Sequence, residues 1–519
     1  MSTATEPAAA PGSRSVRTVA LAMTAAAVVL GALAGHLVAV GAGAAVLALA
    51  LVAIPATLWR WPHLAPAFLL SCALMVEQFA RVPATGETVP LTALVPVDPP
   101  IAPEPLTARI PLFHGVGGLH IAPADLLLVL VCFIALGRTA DRSRARTVVW
   151  YALLGLMGAV ALGTALGIVH HGDIRVAFME TRPYVYLVAT YLLTASLVAD
   201  RRALRAVLWA LVVCVALKAL QGLVIFLQVR HMDPRPEAVL GHEESFFFAL
   251  LAFLVLALWL WRVEGRLRAT ATALLPVVAL ADLANDRRAA WLVLGGGVLT
   301  IVAIGLRALP ERRHVLWRGI AVALAVSTVY FPAYWNKTGG LAQPARALRS
   351  MVSPDSRDAL SDLYRLQENA NLKVNIREND GIGNGFGVPI RYTLPITDIS
   401  GIDPMIAYIP HNGVLYVLMR MGLIGGVALW TFLAAGIVTA VRAARSLDRE
   451  VAVAGALTAA ALVAYALMGA VDQGFFFYRI AFVVGTLLGL VDGAIARPPR
   501  VTPYRGQRRT RSGVTLLRL

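Results

Sequence analysis

The sequence predicts an all-α polytopic membrane protein, and three observations support this fold class. The 519-residue chain is 58% hydrophobic, and only 15% of its residues are charged, whereas soluble domains carry about 25%. Its mean hydropathy is +0.71. The apolar residues form long runs, such as 19–34 and 207–229. About 20 such residues cross a bilayer as a helix, and a helix satisfies its own backbone hydrogen bonds, which lipid cannot do.

The apolar runs predict about 12–14 transmembrane helices, with a large extracytoplasmic loop before the last three. The predicted spans are 17–35, 37–58, 62–80, 122–138, 148–169, 184–199, 203–228, 244–262, 268–285, 288–307, 316–332, 422–443, 451–470 and 475–494. Lys and Arg prefer the cytoplasmic side of a membrane. With the N-terminus inside, the large arginine clusters all fall on that side. They are Arg138/Arg142/Arg144/Arg146, Arg201/Arg202/Arg205, Arg262/Arg266/Arg268, Arg307/Arg312/Arg313/Arg318, Arg442/Arg445/Arg449 and the six arginines from Arg497 to Arg511.

The remaining connections then face away from the cytoplasm. The largest, 333–410, contains a helical pattern near 358–374 and the Gly-rich sequence GIGNGFG at 381–387. Shorter polar connections are predicted over 170–183 and 229–243. The chain accordingly divides into a transmembrane bundle over 1–332, the loop 333–410, C-terminal helices over 411–494 and a basic cytoplasmic tail over 495–519.

The net charge of +16 does not indicate a nucleic-acid partner, because the basic residues lie in short clusters where topology signals belong. The three cysteines, Cys72, Cys132 and Cys214, fall in apolar runs and are interpreted as small packed hydrophobes. The sequence carries no phosphate-binding P-loop, HExxH or zinc pattern. We therefore predict neither a metal site nor a cofactor.

Six arginines oppose the positive-inside trend. Arg175, Arg230 and Arg235 lie in outer connections, and three more form a set at predicted span ends. Arg182 lies in TRPYVYL, and Arg287 and Arg288 lie in the tight NDRRAAW connection. A guanidinium at an outer membrane edge can bind phosphate in a bidentate manner. The alternative is that each reaches the lipid headgroups or pairs with Glu180 or Asp286. Taken as a set, the three arginines favour an anion site.

Polar residues at two predicted helix starts are further candidates. His411 follows the large loop, and an imidazole can accept a proton near neutral pH; alternatively it caps its helix together with Asn412. Glu243 and Glu244 begin the eighth span. Acidic residues suit a helix N-terminus, and they could also pair with an outer arginine or hold a sugar hydroxyl. Lys218 lies within the seventh span, and a charged residue inside a membrane span often has a function. The sequence assigns no role to it.

These motifs together resemble the O-antigen ligase and O-antigen polymerase superfamily. The pattern HNxxLxxxxxxGLIG is carried by His411, Asn412, Leu415 and Gly422–Gly425. The turn GIGNGFG resembles the family's GxGFG turn, and RRAAWL and RPYVYL resemble its outer arginine segments. The resemblance covers about 180–430. The chain departs from the family in its span count, because the usual pattern has about twelve spans and about fourteen are predicted here.

The resemblance implies a metal-independent glycosyltransferase in the bacterial inner membrane, with its active site on the extracytoplasmic face. Such enzymes transfer or polymerise a glycan from an undecaprenyl-diphosphate donor onto a hydroxyl of a glycan, lipid or protein acceptor. By matching position, Arg182 and either Arg287 or Arg288 hold the diphosphate, and His411 is the base or orients the acceptor. Glu243, Glu244 and Asn412 are candidate sugar or acceptor contacts. Ligase and polymerase are not distinguished.

Two other classes of function compete with this interpretation. One is a lipid-linked oligosaccharide flippase or another polysaccharide-export transporter, and the other is a structural subunit of an envelope assembly. A transporter is expected to place ionisable groups near the bilayer midplane. The unexplained charges of this sequence instead lie at predicted outer edges, which favours the enzyme.

Overall fold

The computed structural model describes most of the chain between residues 53 and 496. The described residues are 53–78, 107, 112–113, 121–139, 147–197, 201–232, 236, 238–337, 339–399 and 405–496. In this part the chain forms fourteen α-helices. They are α1 (Ala65–Met75), α2 (Pro123–Thr139), α3 (Val148–Val169), α4 (Ile174–Leu197), α5 (Arg201–Val229), α6 (His242–Leu260), α7 (Arg266–Asn285), α8 (Arg288–Ala308), α9 (Arg313–Tyr334), α10 (Gln343–Ser350), α11 (Ser356–Glu378), α12 (Gly413–Ala444), α13 (Arg449–Val471) and α14 (Tyr478–Ala496).

The predicted fold class, an all-α multi-pass membrane protein, is confirmed. Within the described ranges, nine helices are long and apolar enough to cross a membrane: α3, α5 to α9 and α12 to α14. Two shorter apolar helices, Pro62–Met75 and Pro123–Ile134, correspond to the third and fourth predicted spans. The predicted span 17–35 and most of 37–58 lie outside the described residues.

Two helices begin earlier in the chain than the sequence predicts. Helix α4 starts at Ile174, so the predicted connection 170–183 is wrong for most of its length, and Arg182 lies inside the helix. Helix α12 starts at Gly413 instead of near 422. In both cases the early turns carry charged side chains, which lower the hydropathy of the segment. The buried ones, Glu180 and Arg182 in α4 and Arg420 in α12, are paired inside the bundle, which is how a membrane protein accommodates them.

Small residues let the central helices approach closely. Helix α14 packs along α4, and α12 packs against both α13 and α3. A Cβ atom added at Gly489 of α14 would lie 2.4 Å from the carbonyl oxygen of Tyr191 in α4. Such close backbone approach at glycines is typical of helix packing in membranes.

Successive helices run in opposite directions through the bundle. Its two ends therefore carry different connections and make different contacts. The end that carries the 335–412 connection is here named the loop end, and there the Asp173 N–H donates to the Gly387 carbonyl at 2.8 Å. The opposite end, named the arginine end, carries the predicted cytoplasmic clusters. Ion pairs there join α5 to the α12–α13 connection and α13: Arg201 with Asp448 at 2.6 Å and Arg205 with Glu450 at 2.8 Å.

The two Gly-rich motifs of the sequence pack against each other at the loop end. Helix α12 is kinked at Gly422, whose φ of 63° lies in the left-handed region. A Cβ atom there would lie 2.2 Å from the Ile382 carbonyl oxygen, and the Leu423 N–H donates to the Gly381 carbonyl at 2.8 Å. Only glycine combines this backbone conformation with this close approach. The helix predicted near 358–374 is α11, and the Gly-rich turn follows it back into the bundle.

Candidate functional site

A fully buried ion pair holds the Gly-rich turn in place. Arg420 of α12 and Glu180 of α4 are both 0% exposed and are joined at 2.8 Å. The Arg420 guanidinium also donates to the carbonyl oxygens of Gly385 at 3.1 Å and Tyr408 at 2.8 Å. The Gly387 N–H donates to the other carboxylate oxygen of Glu180. Sequence reasoning missed this pair, although Arg420 is a conspicuous charge in an apolar segment.

A second buried cluster accounts for Glu243 and Glu244. Both are buried in α6 and pair with Arg479 of α14. Arg479 also donates to the carbonyl oxygen of Ala73 at 2.7 Å. Lys218 extends the cluster, since its ammonium lies 3.9 Å from Glu244 and bonds to Glu77. Of the alternatives left open for the two glutamates, the structure shows pairing with an arginine, and these contacts anchor the start of α6.

Arg182 is buried against another helix. Its side chain is 3% exposed and lies 3.1 Å from the Asp125 carboxylate of α2. The guanidinium carbon is 4.9 Å from the centre of the Phe178 ring. Tyr186 donates to the same aspartate at 2.6 Å. The alternative pairing of Arg182 with Glu180 is wrong, because Glu180 is bound to Arg420.

Arg287 and Arg288 contact different parts of the loop end. Arg287 donates to the carbonyl oxygen of Leu240 at 3.5 Å. Arg288 lies 3.5 Å from Asp358 and 3.3 Å from Asp362 of α11. Asp286, the alternative partner considered for them, pairs with Arg346 of α10. Arg288 therefore links α8 to α11 in the 335–412 connection.

His411 lies where the long connection meets α12, and it is held by a carboxylate. Its Nδ1 is 3.2 Å from Glu368 Oε1, and its backbone N–H donates to the other Glu368 oxygen at 3.0 Å. The imidazole is 21% exposed, while Glu368 is buried. Asn412, not His411, is the N-cap of α12, because its Oδ1 accepts from the Leu415 N–H at 3.0 Å.

A second histidine–carboxylate pair lies at the same end. His242, the first residue of α6, places Nδ1 2.7 Å from Asp472 Oδ2 in the connection between α13 and α14. The other Asp472 oxygen accepts from the Gln473 N–H at 2.8 Å. The His242 side chain is 40% exposed, whereas Asp472 is 5% exposed.

The charge of Arg365 in α11 acts on one member of each pair, His411 and Asp472. It is half-buried and makes no hydrogen bond or ion pair with any residue that the structure describes. Five residues therefore form one group, here named the histidine centre: His242, Arg365, Glu368, His411 and Asp472. A guanidinium with available donors whose charge reaches the His411 imidazole is suited to an anionic ligand.

The charges of the centre shift two pKa values. Burial by itself lowers the pKa of His411, but its hydrogen bond to Glu368 and the charge of that carboxylate outweigh burial and raise it above 6.5. Burial raises the pKa of Asp472, but contact with His242 and the charge of Arg365 hold it well below its usual range. Asp472 thus remains ionised at neutral pH, and His411 is a stronger base than an isolated histidine.

Of the histidine centre, the sequence identified only His411. Arg365 and Glu368 lie within the predicted loop helix, and Asp472 follows a long apolar run. His242 precedes the two glutamates in GHEESFFF. Its position at a helix start was the one available signal, and no spacing in the sequence pairs it with Asp472.

Comparison with known proteins adds no assignment. No protein-family model matches the chain, and no curated protein is significantly similar to it. The fold and the centre define an all-α multi-pass membrane protein with two carboxylate-held histidines at one end of the bundle.

Proposed function

We propose that this protein is a metal-independent glycosyltransferase of the O-antigen ligase or polymerase type. It moves a glycan from an undecaprenyl-diphosphate donor to an acceptor hydroxyl at the outer face of the bacterial inner membrane. The observation that carries the proposal is the histidine centre, in which His411 is bound to Glu368 beside Arg365. The motif that resembles the family begins at this same histidine.

The chemistry of transfer needs both kinds of group found in the centre. The acceptor hydroxyl loses a proton as it attacks the anomeric carbon, and an imidazole is a suitable base. Because Glu368 occupies Nδ1 of His411, Nε2 is the nitrogen left to accept that proton. Negative charge develops on the diphosphate as the glycosyl–oxygen bond breaks, and cationic donors stabilise it.

Arg365 is the cation best suited to the diphosphate. Its guanidinium has no hydrogen-bonded partner in the described part of the chain, and its charge acts on both His411 and Asp472. The roles predicted for Arg182, Arg287 and Arg288 remain part of the proposal. The buried pair of Arg182 with Asp125 favours a supporting role for that residue.

The distribution of charge favours an enzyme over a transporter. A transporter is expected to bind its coupling ions and substrate near the bilayer midplane. Here Arg182, Glu243, Arg420 and Arg479 all lie within about three turns of the loop-end terminus of their helices. Lys218 lies deeper along α5, yet it bonds to Glu77 at that same end. The described ion-pair clusters of the bundle core thus lie towards the face that carries the histidine centre, whereas the buried Asp492 lies near the arginine end and accepts from the Tyr191 hydroxyl at 2.6 Å.

The lipid-linked glycans of a deletion strain test the proposal. Accumulation of single lipid-linked repeat units identifies a polymerase, and accumulation of full-length unattached chains identifies a ligase. Either phenotype should be reversed by the wild-type gene and not by His411→Asn expressed at the same level. An unchanged glycan profile in the deletion strain would refute both forms of the enzyme.

The assignment of Arg365 gives a separate prediction. Hydrogen bonds to charged groups contribute about 1.5–3 kcal/mol each, and about 1.4 kcal/mol corresponds to tenfold in rate or binding. Arg365→Ala should therefore lower kcat/KM for the lipid-linked donor by about tenfold to a hundredfold. Lysine should restore little, because it lacks the planar fork.

The matched control for Arg365 is Arg377→Ala, which removes an exposed arginine from the same helix. Both variants should be compared at equal amounts of folded protein, with donor concentration varied. Equal kcat/KM values for the two variants would show that Arg365 does not contact the donor.

A further inference from the structure

We propose that His242, oriented by Asp472, is a second proton-transfer residue of the centre, which protonates the diphosphate oxygen as the glycosyl–oxygen bond breaks. The inference rests on the proposed function and assigns a residue that neither the motifs nor the resemblance identified. It divides the reaction between two histidines, with His411 on the acceptor side and His242 on the leaving-group side.

The geometry around His242 is that of an oriented acid–base residue. Both oxygens of Asp472 are engaged, one by His242 Nδ1 at 2.7 Å and one by the Gln473 N–H at 2.8 Å. An ionised carboxylate only accepts hydrogen bonds, so Nδ1 carries a proton. The carboxylate thereby fixes the ring and leaves Nε2 for chemistry, as in other carboxylate–histidine pairs.

The exposure of the His242 imidazole favours a role in proton transfer over a purely structural link between helices. The start of α6 is already tied to α14 through Glu243, Glu244 and Arg479. A further tie would not need an accessible ring, yet the His242 side chain is 40% exposed. Within the described part of the chain, its Nε2 has no hydrogen-bond partner. This oriented, accessible nitrogen belongs to the ring held by Asp472, whose carboxylate also feels the charge of Arg365, and it can give a proton to a diphosphate oxygen.

The proposed step balances in atoms and charge. The acceptor hydroxyl gives its proton to His411 Nε2, and its oxygen forms a bond with the anomeric carbon. The bond between that carbon and the phosphate oxygen breaks, and its electron pair stays on the oxygen. His242 Nε2 gives that oxygen a proton. A proton then passes through water from His411 to His242, which restores both residues.

His242 and His411 are connected through Asp472. Asp472 contacts His242 directly on the α13–α14 connection, and its charge also acts on His411, which is bound to Glu368 of α11. The charge of Arg365 acts on Asp472 and on His411.

The experiment uses the full-length protein in detergent and the lipid-linked glycan extracted from the deletion strain. His242→Gln should lower kcat by about 10²-fold or more, with little change in the donor KM. Asp472→Asn should lower kcat less, because the histidine remains but loses its orienting charge. His231→Gln is the control, since His231 is an exposed histidine on the preceding connection.

The outcomes distinguish this inference from the function on which it rests. If the wild type transfers and His242→Gln keeps its kcat, His242 only links α6 to the α13–α14 connection and the inference is wrong. Imidazole in the buffer should partly restore the transfer rate of folded His242→Ala protein. A purely structural role of His242 would not allow this restoration. If the wild type transfers from no extracted donor, the proposed function fails and this inference fails with it.

Discussion

Replacing His411 with asparagine should lower the rate of glycan transfer by about 10²- to 10⁴-fold, the range expected for loss of a general base. The protein should stay folded, because the cap of α12 is Asn412 and not His411. The rate is measured with purified protein and a lipid-linked donor, at matched amounts of folded enzyme. Near-normal rates in His411→Asn would show that the residue only orients the acceptor or contributes packing.

Asn412→Ala is the matched control, because it changes the neighbouring residue and removes the N-cap of α12 instead of the proposed base. Loss of an N-cap costs about 0.5–2 kcal/mol of stability, so this variant should show a lower thermal midpoint. Its rate per folded molecule should stay near that of the wild type. If Asn412→Ala instead loses its rate without a loss of stability, Asn412 contacts a substrate, as its place in the motif first suggested.

The raised pKa of His411 gives a pH dependence with a definite sign. A neutral imidazole is needed to accept a proton, so transfer should fall as the pH drops through a value above 6.5. Glu368→Gln removes the main cause of the raised pKa and should move this acid limb to lower pH. An acid limb that stays in place in Glu368→Gln would assign it to another group.

Stability should depend on pH in the opposite direction. A histidine whose pKa is raised in the folded state stabilises that state fully below its unfolded value of about 6.5, and this contribution is lost as the pH rises through the folded value. The protonated form of His411 is thus the one that stabilises the fold, whereas the neutral form is the one that transfers. Glu368→Gln should weaken the dependence of stability on pH and, at the same time, move the acid limb of the transfer rate to lower pH.

Replacing Arg420 with alanine should have the largest effect on folding. Removing one partner of a buried ion pair leaves an uncompensated charge and costs about 3–5 kcal/mol, which is a large part of the about 5–15 kcal/mol that stabilises a typical domain. Arg420→Ala should also release the Gly-rich turn, because the guanidinium binds the carbonyl oxygens of Gly385 and Tyr408. The thermal midpoint and the monodisperse fraction in detergent measure the loss.

Two comparisons make this prediction specific. Arg442→Ala removes an exposed arginine from the same helix and should leave stability nearly unchanged. Adding Glu180→Gln to Arg420→Met should recover part of the stability, because it removes the unpaired carboxylate. An Arg420→Ala variant that melts like the wild type would show that the pair does not stabilise the bundle.

The sequence determined the fold class and the general position of the centre. Long apolar runs require helices in a membrane, and the arginine clusters predict which helix ends lie together. Among the described residues, Arg201 and Arg205 of one cluster pair with Asp448 and Glu450, and Arg449 of another donates to the carbonyl oxygen of Arg262, so these clusters lie at one end of the bundle. The motif containing His411 indicated where the long connection meets α12, because a histidine and an asparagine at a helix start are visible without tertiary information.

Only the tertiary structure decided which charges pair with one another. Glu180 and Arg420 are 240 residues apart, and local periodicity in the sequence cannot relate residues at that separation. The same holds for Asp125 with Arg182 and for His242 with Asp472. A buried charge is stabilised by whichever opposite charge the helix packing brings to it, and that packing depends on side-chain fit along whole helices. The sequence therefore identified His411 by itself, while the carboxylates that orient the two histidines and the arginine beside them emerged only when the helices were assembled.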